Sequence, residues 1–170
     1  MTAVEEAPTD GSFRTITGRD HYWDDLHQGD RLASTGVTVT EAHLVSWAGL
    51  TGDIVQFHLD REYAAGTSFG ERIAHGPLSL SLALGLITQT GYFSRVVAWL
   101  GLDAVRASKP VLIGDTIRAV ATLRDTRSTQ SRPGTGIWSF DYVVLNQRDE
   151  TVMTFTSAFL VAARPGAATL

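Results

Sequence analysis

The stretch at residues 77–90, PLSLSLALGLITQT, decides how the rest of the chain must fold. Pro77 suits the first turn of a helix, where backbone N–H groups lack partners and the N–H that proline lacks is not needed. The residues that follow are apolar on nearly every face of that helix, interrupted only by small serines and one glycine. A helix that is apolar all round has to be covered by other structure. The stretch therefore predicts a central helix wrapped by the remaining elements.

The rest of the chain supplies strands for that wrapping. Alternating or continuous runs of β-branched and aromatic residues favour strands. Such strands are predicted at 31–39, 115–126, 136–147 and 151–163, with one or two more within 92–115. The links SRPGTG at 131–136 and QRDE at 147–150 are turn-forming sequences, which indicates an antiparallel meander. The expected fold is α+β: one domain in which a curved antiparallel sheet wraps the long central helix.

Two shorter helices are predicted ahead of the central one. Thr40 can cap a helix over residues 41–50, and Asp60 can cap a short helix over 61–65. Gly52 should end the first of them, because glycine readily adopts the left-handed conformation that follows many helices. Asp53 is therefore expected on a loop directly after a helix. In the first helix, the apolar positions with roughly helical spacing are Ala42, Val45, Trp47 and Ala48.

The composition excludes several classes of protein. The 170 residues are 44% hydrophobic and 19% charged, which is typical of one globular domain, expected at 13–163 between mobile tails at 1–12 and 164–170. A net charge of −4 without any Lys/Arg cluster gives no footprint for nucleic acid. The chain has no cysteine, so disulfides and cysteine-ligated metals are excluded and a reducing cytoplasm is expected. No signal peptide or membrane partner is expected either, because the N-terminus is acidic and no apolar stretch is long enough to span a bilayer.

Residues 51–76, TGDIVQFHLDREYAAGTSFGERIAHG, concentrate the side chains that could carry chemistry. Asp53 lies five residues before His58, and His75-Gly76 lies directly before the central helix. A carboxylate and an imidazole can divide general acid/base work, and the first N–H groups of a helix are unpaired donors at the positive end of its dipole. Each residue also has a plainer interpretation: Asp53 as a turn residue, His58 as a packed or surface histidine, and His75 as a brace for the turn.

Residues 48–87, which contain this segment and the start of the central helix, resemble the hydratase motif of the MaoC-like dehydratases, the (R)-specific enoyl-CoA hydratases. KPVLIGDTI at 109–117 and VVLNQRDETVMTF at 143–155 also look like later strands of that family, so the likeness covers about residues 20–163. The resemblance implies a hotdog fold, a long helix wrapped by an antiparallel sheet and usually dimerised edge to edge. The family's Asn-Pro is replaced here by Val55-Gln56, and the aliphatic residue before the histidine by Phe57.

The resemblance also implies a reaction and its site. Asp53 and His58 would form the acid/base pair, and the backbone N–H of Gly76 would help to hold a thioester oxygen. The implied activity is reversible hydration or dehydration of a 2-enoyl/(R)-3-hydroxyacyl thioester carried by CoA or a carrier protein, without a cofactor or metal. A hotdog thioesterase and a non-catalytic acyl-binding partner subunit remain as alternatives. A homodimer at least is expected, because the unpaired edge of a curled sheet tends to pair with another copy.

Further residues are candidates for substrate contacts, some beside the acyl chain and some beside the phosphates of CoA or of a carrier arm. These candidates are His75, Leu80, Leu84, Arg72, Arg106 and Lys109. A metal triad of Asp53, His58 and His75 is disfavoured, because the carboxylates that often orient metal-ligating histidines are not evident in the sequence.

Overall fold

The computed structural model describes residues 21–166, which contain a six-stranded antiparallel sheet. The strands are β1 (Arg31–Ala33), β2 (Val37–Thr38), β3 (Val96–Ala107), β4 (Thr116–Ser128), β5 (Thr135–Leu145) and β6 (Thr151–Ala162). Their order is β1-β4-β5-β6-β3, and β2 also pairs with β4. Strands β4, β5 and β6 pair consecutively along their lengths, so the predicted antiparallel meander is confirmed.

The strand predicted at 31–39 is split into β1 and β2, which both pair with β4. The chain passes close to β4 at the break, since a Cβ on Gly36 would lie 2.9 Å from the Cγ2 of Thr116. Residues 92–115 contain one long strand, β3, in agreement with the one or two predicted there. The loop after β3 is held by an isolated bridge between Ile73 and Leu112.

Four α-helices accompany the sheet among the described residues. They are α1 (Glu41–Thr51), α2 (Gln56–Leu59), α3 (Arg61–Ala65) and α4 (Gly76–Thr88). The central helix α4 begins one residue before Pro77, and the Asp60 carboxylate caps α3 by accepting the Tyr63 N–H at 2.9 Å. The sequence did not predict α2, the single turn that carries His58.

The core confirms that α4 is wrapped by the sheet. Its residues Leu78, Ala83 and Ile87 are buried in one apolar cluster that also contains the β5 side chains Trp138 and Phe140. Both aromatic side chains are fully buried. Burial of side chains of this size contributes about 1.5–3 kcal/mol each, so the sheet and the helix depend on one another for stability.

The apolar spacing in α1 identified its core-facing side only in part. Ala48 is buried and Trp47 packs against the core cluster, whereas Val45 is 54% exposed and Ala42 is also exposed. Leu44, which the spacing did not include, is buried as well. The predicted end of the helix is confirmed, because Gly52 has φ 77° and its N–H donates to the Ala48 carbonyl at 2.8 Å. This left-handed residue turns the chain out of α1 and starts the loop that carries Asp53.

Strand β3 forms one edge of the sheet. It pairs with β6 on one side, with three shifts in register, and no described strand pairs with its other side. Several large apolar side chains of this strand are exposed. They are Val97, Trp99, Leu100 and Val105.

The first residue of the predicted C-terminal tail is held against the rest of the fold. Arg164, the first residue of the predicted C-terminal tail, is tied to the 3₁₀ turn at Trp23–Asp25: its N–H donates to Asp24 Oδ1 at 3.0 Å and its guanidinium pairs with Asp25 at 2.6 Å. The predicted tail at 1–12, the first residues of the predicted domain at 13–20, and residues 167–170 lie outside the described residues. Within residues 21–166, no helix has the length and apolar character needed to cross a membrane.

Candidate active site

Three polar side chains meet where the loop after α1, the single turn of α2 and the start of α4 come together. Asp53 is half-buried on the loop, His58 is buried on α2, and His75 is the fully buried residue directly before α4. An oxygen of Asp53 and one nitrogen from each histidine lie within 4.8 Å of one another. Two groups that each bind one water oxygen at about 2.8 Å stand roughly 4.6 Å apart, so this spacing suits a shared water.

The tautomer of His58 follows from its hydrogen bond. Its Nδ1 lies 2.7 Å from the carbonyl oxygen of Ile73, which can only accept, so Nδ1 carries the proton. In the neutral ring, Nε2 is then the nitrogen with a free lone pair. Burial lowers the pKa of His58 below 6.5 and the His75 ring lowers it further, against the opposing effects of the Ile73 carbonyl and the Asp53 carboxylate. His58 is therefore a neutral acceptor at neutral pH.

His75 touches both of its neighbours. Its Nε2–H donates to the backbone carbonyl of Asp53 at 3.0 Å, and its ring stacks on the His58 ring with centroids 3.8 Å apart and planes 26° from parallel. Its other nitrogen, Nδ1, is buried and has no hydrogen-bond partner in the described part of the chain. The same stacking argues against a metal site, because imidazole lone pairs lie in the ring planes and nearly parallel planes do not direct them to one point.

Gly76 offers an unpaired donor beside these rings. As the first residue of α4 its N–H has no acceptor in the helix, and the hydrogen bonds of the described residues include none for it. A Cβ built on Gly76 would meet no atom within 4 Å, so the space beside its backbone is open.

His58 and Gly76 both line a cavity of about 400 Å³. Its walls are mostly apolar and come from four parts of the chain: α2 with the loop after α3, the start of α4, the loop after β3, and β6. The lining residues include Phe57, Phe69, Ile73, Ser79, Val111, Val152 and Met153. The sequence alone did not predict these residues, because walls built from segments so far apart in the chain leave no local motif. The Ile73 carbonyl that fixes the His58 tautomer is a backbone group, which no side-chain pattern reveals.

The other candidate residues lie in different surroundings. Lys109 lines the cavity, and its ammonium lies 2.6 Å from a carboxylate oxygen of Glu150. Arg72 does not line the cavity; its guanidinium pairs with Glu41 at 2.9 Å. Arg106 is exposed on β3 and donates to the carbonyl of its neighbour Val105. Leu80 and Leu84 are half-buried on α4, packed against the core cluster rather than among the cavity walls.

The family of the chain follows from comparison with known proteins. A family model described as MaoC like domain matches residues 24–136. The chain therefore belongs to the MaoC-like domain family.

Named relatives are similar over part of the chain. Protein MaoC of Klebsiella aerogenes is 38% identical over 103 residues, which are 61% of this chain and 30% of that protein. An (R)-specific enoyl-CoA hydratase of Rhodospirillum rubrum is 32% identical over 103 residues, which are 61% of this chain and 69% of that protein. The chain thus spans 30% of the length of the first of these relatives and 69% of the second.

Solved structures confirm the hotdog fold. The crystal structure of a MaoC-like dehydratase from Rhodospirillum rubrum is similar with a TM-score of 0.76 at 28% identity, covering 86% of this chain and 99% of that one. A Mycobacterium tuberculosis protein described as a double hotdog fold gives a TM-score of 0.82 at 24% identity, covering 91% of this chain and 48% of that one. At that identity the second likeness shows the fold alone.

Proposed function

We propose that this protein is a hydro-lyase that reversibly hydrates 2-enoyl thioesters to (R)-3-hydroxyacyl thioesters. The observation that carries the proposal is the meeting of the Asp53 carboxylate, the neutral His58 ring and the open N–H of Gly76 beside an apolar cavity. The names of two relatives support this reaction class: (R)-specific enoyl-CoA hydratase and 3-hydroxyacyl-thioester dehydratase Z.

In the proposed reaction, Asp53 and His58 hold one water between them. His58 Nε2 accepts one O–H of the water and the Asp53 carboxylate accepts the other. As the water oxygen bonds to C3 of the enoyl group, Asp53 takes a proton and the electron pair of the double bond moves towards the thioester oxygen. A proton then passes from the Asp53–His58 pair to C2, which returns both groups to their starting states. Hydroxyl and proton arrive on the same face, because the Asp53–His58 pair holds the attacking water and also delivers the proton.

Gly76 would stabilise the charge that develops on the thioester oxygen. A fixed N–H at the positive end of the α4 dipole lowers the energy of an enolate-like oxygen more than that of the neutral carbonyl. A side chain at this position would occupy the open space that the thioester needs. The apolar walls of the cavity suit an acyl chain, and Lys109 is the candidate contact for a phosphate of CoA or of a carrier arm.

We also propose that the protein assembles at least as a homodimer through β3. An unpaired edge strand with exposed apolar side chains is a template for pairing with another chain. On β3 these side chains include Val97, Trp99 and Leu100, and pairing with a second copy would cover them.

Incubation of the full chain with crotonyl-CoA tests the proposed function. The expected result is loss of the ultraviolet absorbance of the conjugated double bond without release of free thiol, with the (R)-3-hydroxy product on chiral analysis. Thiol release would identify a thioesterase instead. Binding without either reaction would indicate a non-catalytic acyl-binding subunit, and an (S) product would contradict the proposed (R) specificity.

A further inference from the structure

His75 contacts both members of the proposed acid/base pair from a distant part of the chain, the residue directly before α4. It donates a hydrogen bond to the backbone of Asp53 and stacks on the ring of His58. The other hydrogen bonds of Asp53 within residues 21–166 join it only to Thr51 and Val55, two positions away on either side. The bond from His75, 22 residues away, is the one that ties this loop to the start of α4.

The loop that carries Asp53 has few other contacts to hold it, which makes the hydrogen bond from His75 important. The neighbours of Asp53 are solvent-exposed: Ile54 is 71% exposed and Val55 48%. Few apolar contacts therefore hold the loop, and loops of this kind open at low free-energy cost. His75, in contrast, is fully buried and fixed by its place before a core helix.

We propose that His75 is a positioning residue: its Nε2–H fixes the loop that carries Asp53, and its ring fixes the plane of the His58 imidazole. This inference rests on the proposed function of Asp53 and His58. It goes beyond bracing of the turn, because it predicts that loss of one N–H at His75 changes the rate of the chemical step.

The tautomer of His75 follows from the same contacts. Nε2 carries the proton that is donated to the Asp53 carbonyl, and Nδ1 is buried without a hydrogen-bond partner among the described residues. The titratable groups that face His58 are Asp53 from the loop, His75 from the residue before α4, and Lys109 across the shared cavity.

Two substitutions at His75 separate positioning from packing. His75→Phe keeps a ring to stack on His58 but removes the donor, whereas His75→Gln can place an amide N–H near the position of Nε2. With the full chain and crotonyl-CoA we expect His75→Phe to lower kcat roughly tenfold to a hundredfold with KM nearly unchanged, since small misplacements of reacting groups have effects of this size. His75→Gln should recover most of the rate. His43→Gln, on α1, is the matched control and should behave as the wild type.

A second readout does not need the activity. NMR titration should show the His58 resonance of both His75 variants titrating at higher pH than in the wild type, because a neighbour that lowers the His58 pKa has been removed. The acid limb of the pH–rate profile should move in the same direction. If His75→Phe does not fold, His75→Asn replaces it, because its shorter amide cannot reach the Asp53 carbonyl.

The outcomes separate this inference from the function on which it rests. A folded His75→Phe or His75→Asn enzyme with wild-type kcat and an unchanged His58 titration would overturn the positioning role. Equal rates in the Gln variant and the variant without a donor would overturn it as well. An inactive wild type, or a fully active Asp53→Asn variant, would instead refute the proposed function.

Discussion

At His58, the hydrogen bond to a backbone carbonyl determines which ring nitrogen is available for chemistry. The Nδ1 proton is committed to Ile73, and the Nε2 lone pair is free to accept a water proton. His75 repeats this device with the opposite nitrogen, donating from Nε2 to Asp53. The two rings thus lie in one stack, with opposite nitrogens donating to backbone carbonyls.

The depressed pKa of His58 sets the expected pH dependence. The proposed hydration needs the neutral ring, and protonation of Nε2 at low pH would remove the acceptor. We expect kcat/KM to be constant near neutral pH and to fall with decreasing pH, with a midpoint below 6.5, the ordinary imidazole value. A pH–rate profile on crotonyl-CoA measures this midpoint. A midpoint clearly above 6.5 would show that His58 is not the desolvated group described above.

Lys109 and Arg106 provide a paired test of substrate charge recognition. Lys109 lines the cavity, whereas Arg106 lies outside it on β3. Lys109→Gln should raise KM for a CoA thioester about two- to fivefold, the size expected for one exposed charge contact, with kcat little changed. Arg106→Gln should leave both constants unchanged. A larger KM effect for Arg106 than for Lys109 would reject this assignment.

The sequence motif and the structure agree best where the motif is local. Asp53 lies five positions before His58 in the chain, and an oxygen of Asp53 lies within 4.8 Å of a nitrogen of His58 in the structure. Among the three cationic candidates, the sequence offered no basis for choosing Lys109. That choice depends on how the loop after β3 returns to the start of α4, and such a contact leaves no trace in local spacing.

At the scale of elements, α1 shows that apolar spacing alone does not predict which face of a short helix is buried. A short helix with apolar residues on several sides has no distinct stripe, so tertiary packing decides which face is buried. Leu44 is buried in the core cluster, whereas Val45 is exposed. In contrast, the end of the helix was predictable because it depends on one residue, Gly52, in a left-handed conformation.

The burial of α1 gives a stability prediction with an adjacent control. Leu44→Ala should lower the free energy of unfolding by about 2–5 kcal/mol, because a fully buried leucine leaves a cavity. Val45→Ala removes an exposed side chain and should change it by less than about 0.5 kcal/mol. Denaturant unfolding of both variants measures the difference. Similar losses for the two would contradict the orientation of α1.

At the scale of the whole molecule, the edge of β3 with which no described strand pairs predicts a dimer. Light scattering should give about twice the 18.4 kDa mass of one chain. Val97→Lys combined with Leu100→Lys should shift the protein towards the monomer, because two charges would face the pairing edge. Tyr63→Lys, a charge on the exposed surface of α3, should not. An active wild-type preparation that is entirely monomeric would contradict the dimer.

The most direct measurement for the whole account is the rate of Asp53→Asn. Asparagine can hold a water but cannot take its proton, so kcat should fall roughly 10²–10⁴-fold while the melting curve stays nearly the same. His58→Asn should do likewise, and the double variant should be little worse, since residues that act on one water are not additive. Asp30→Asn is the matched control, because this Gly-Asp turn residue accepts the His27 N–H at 2.8 Å and an amide oxygen can do the same. A folded, fully active Asp53→Asn enzyme would contradict the central claim and leave Asp53 as a turn residue.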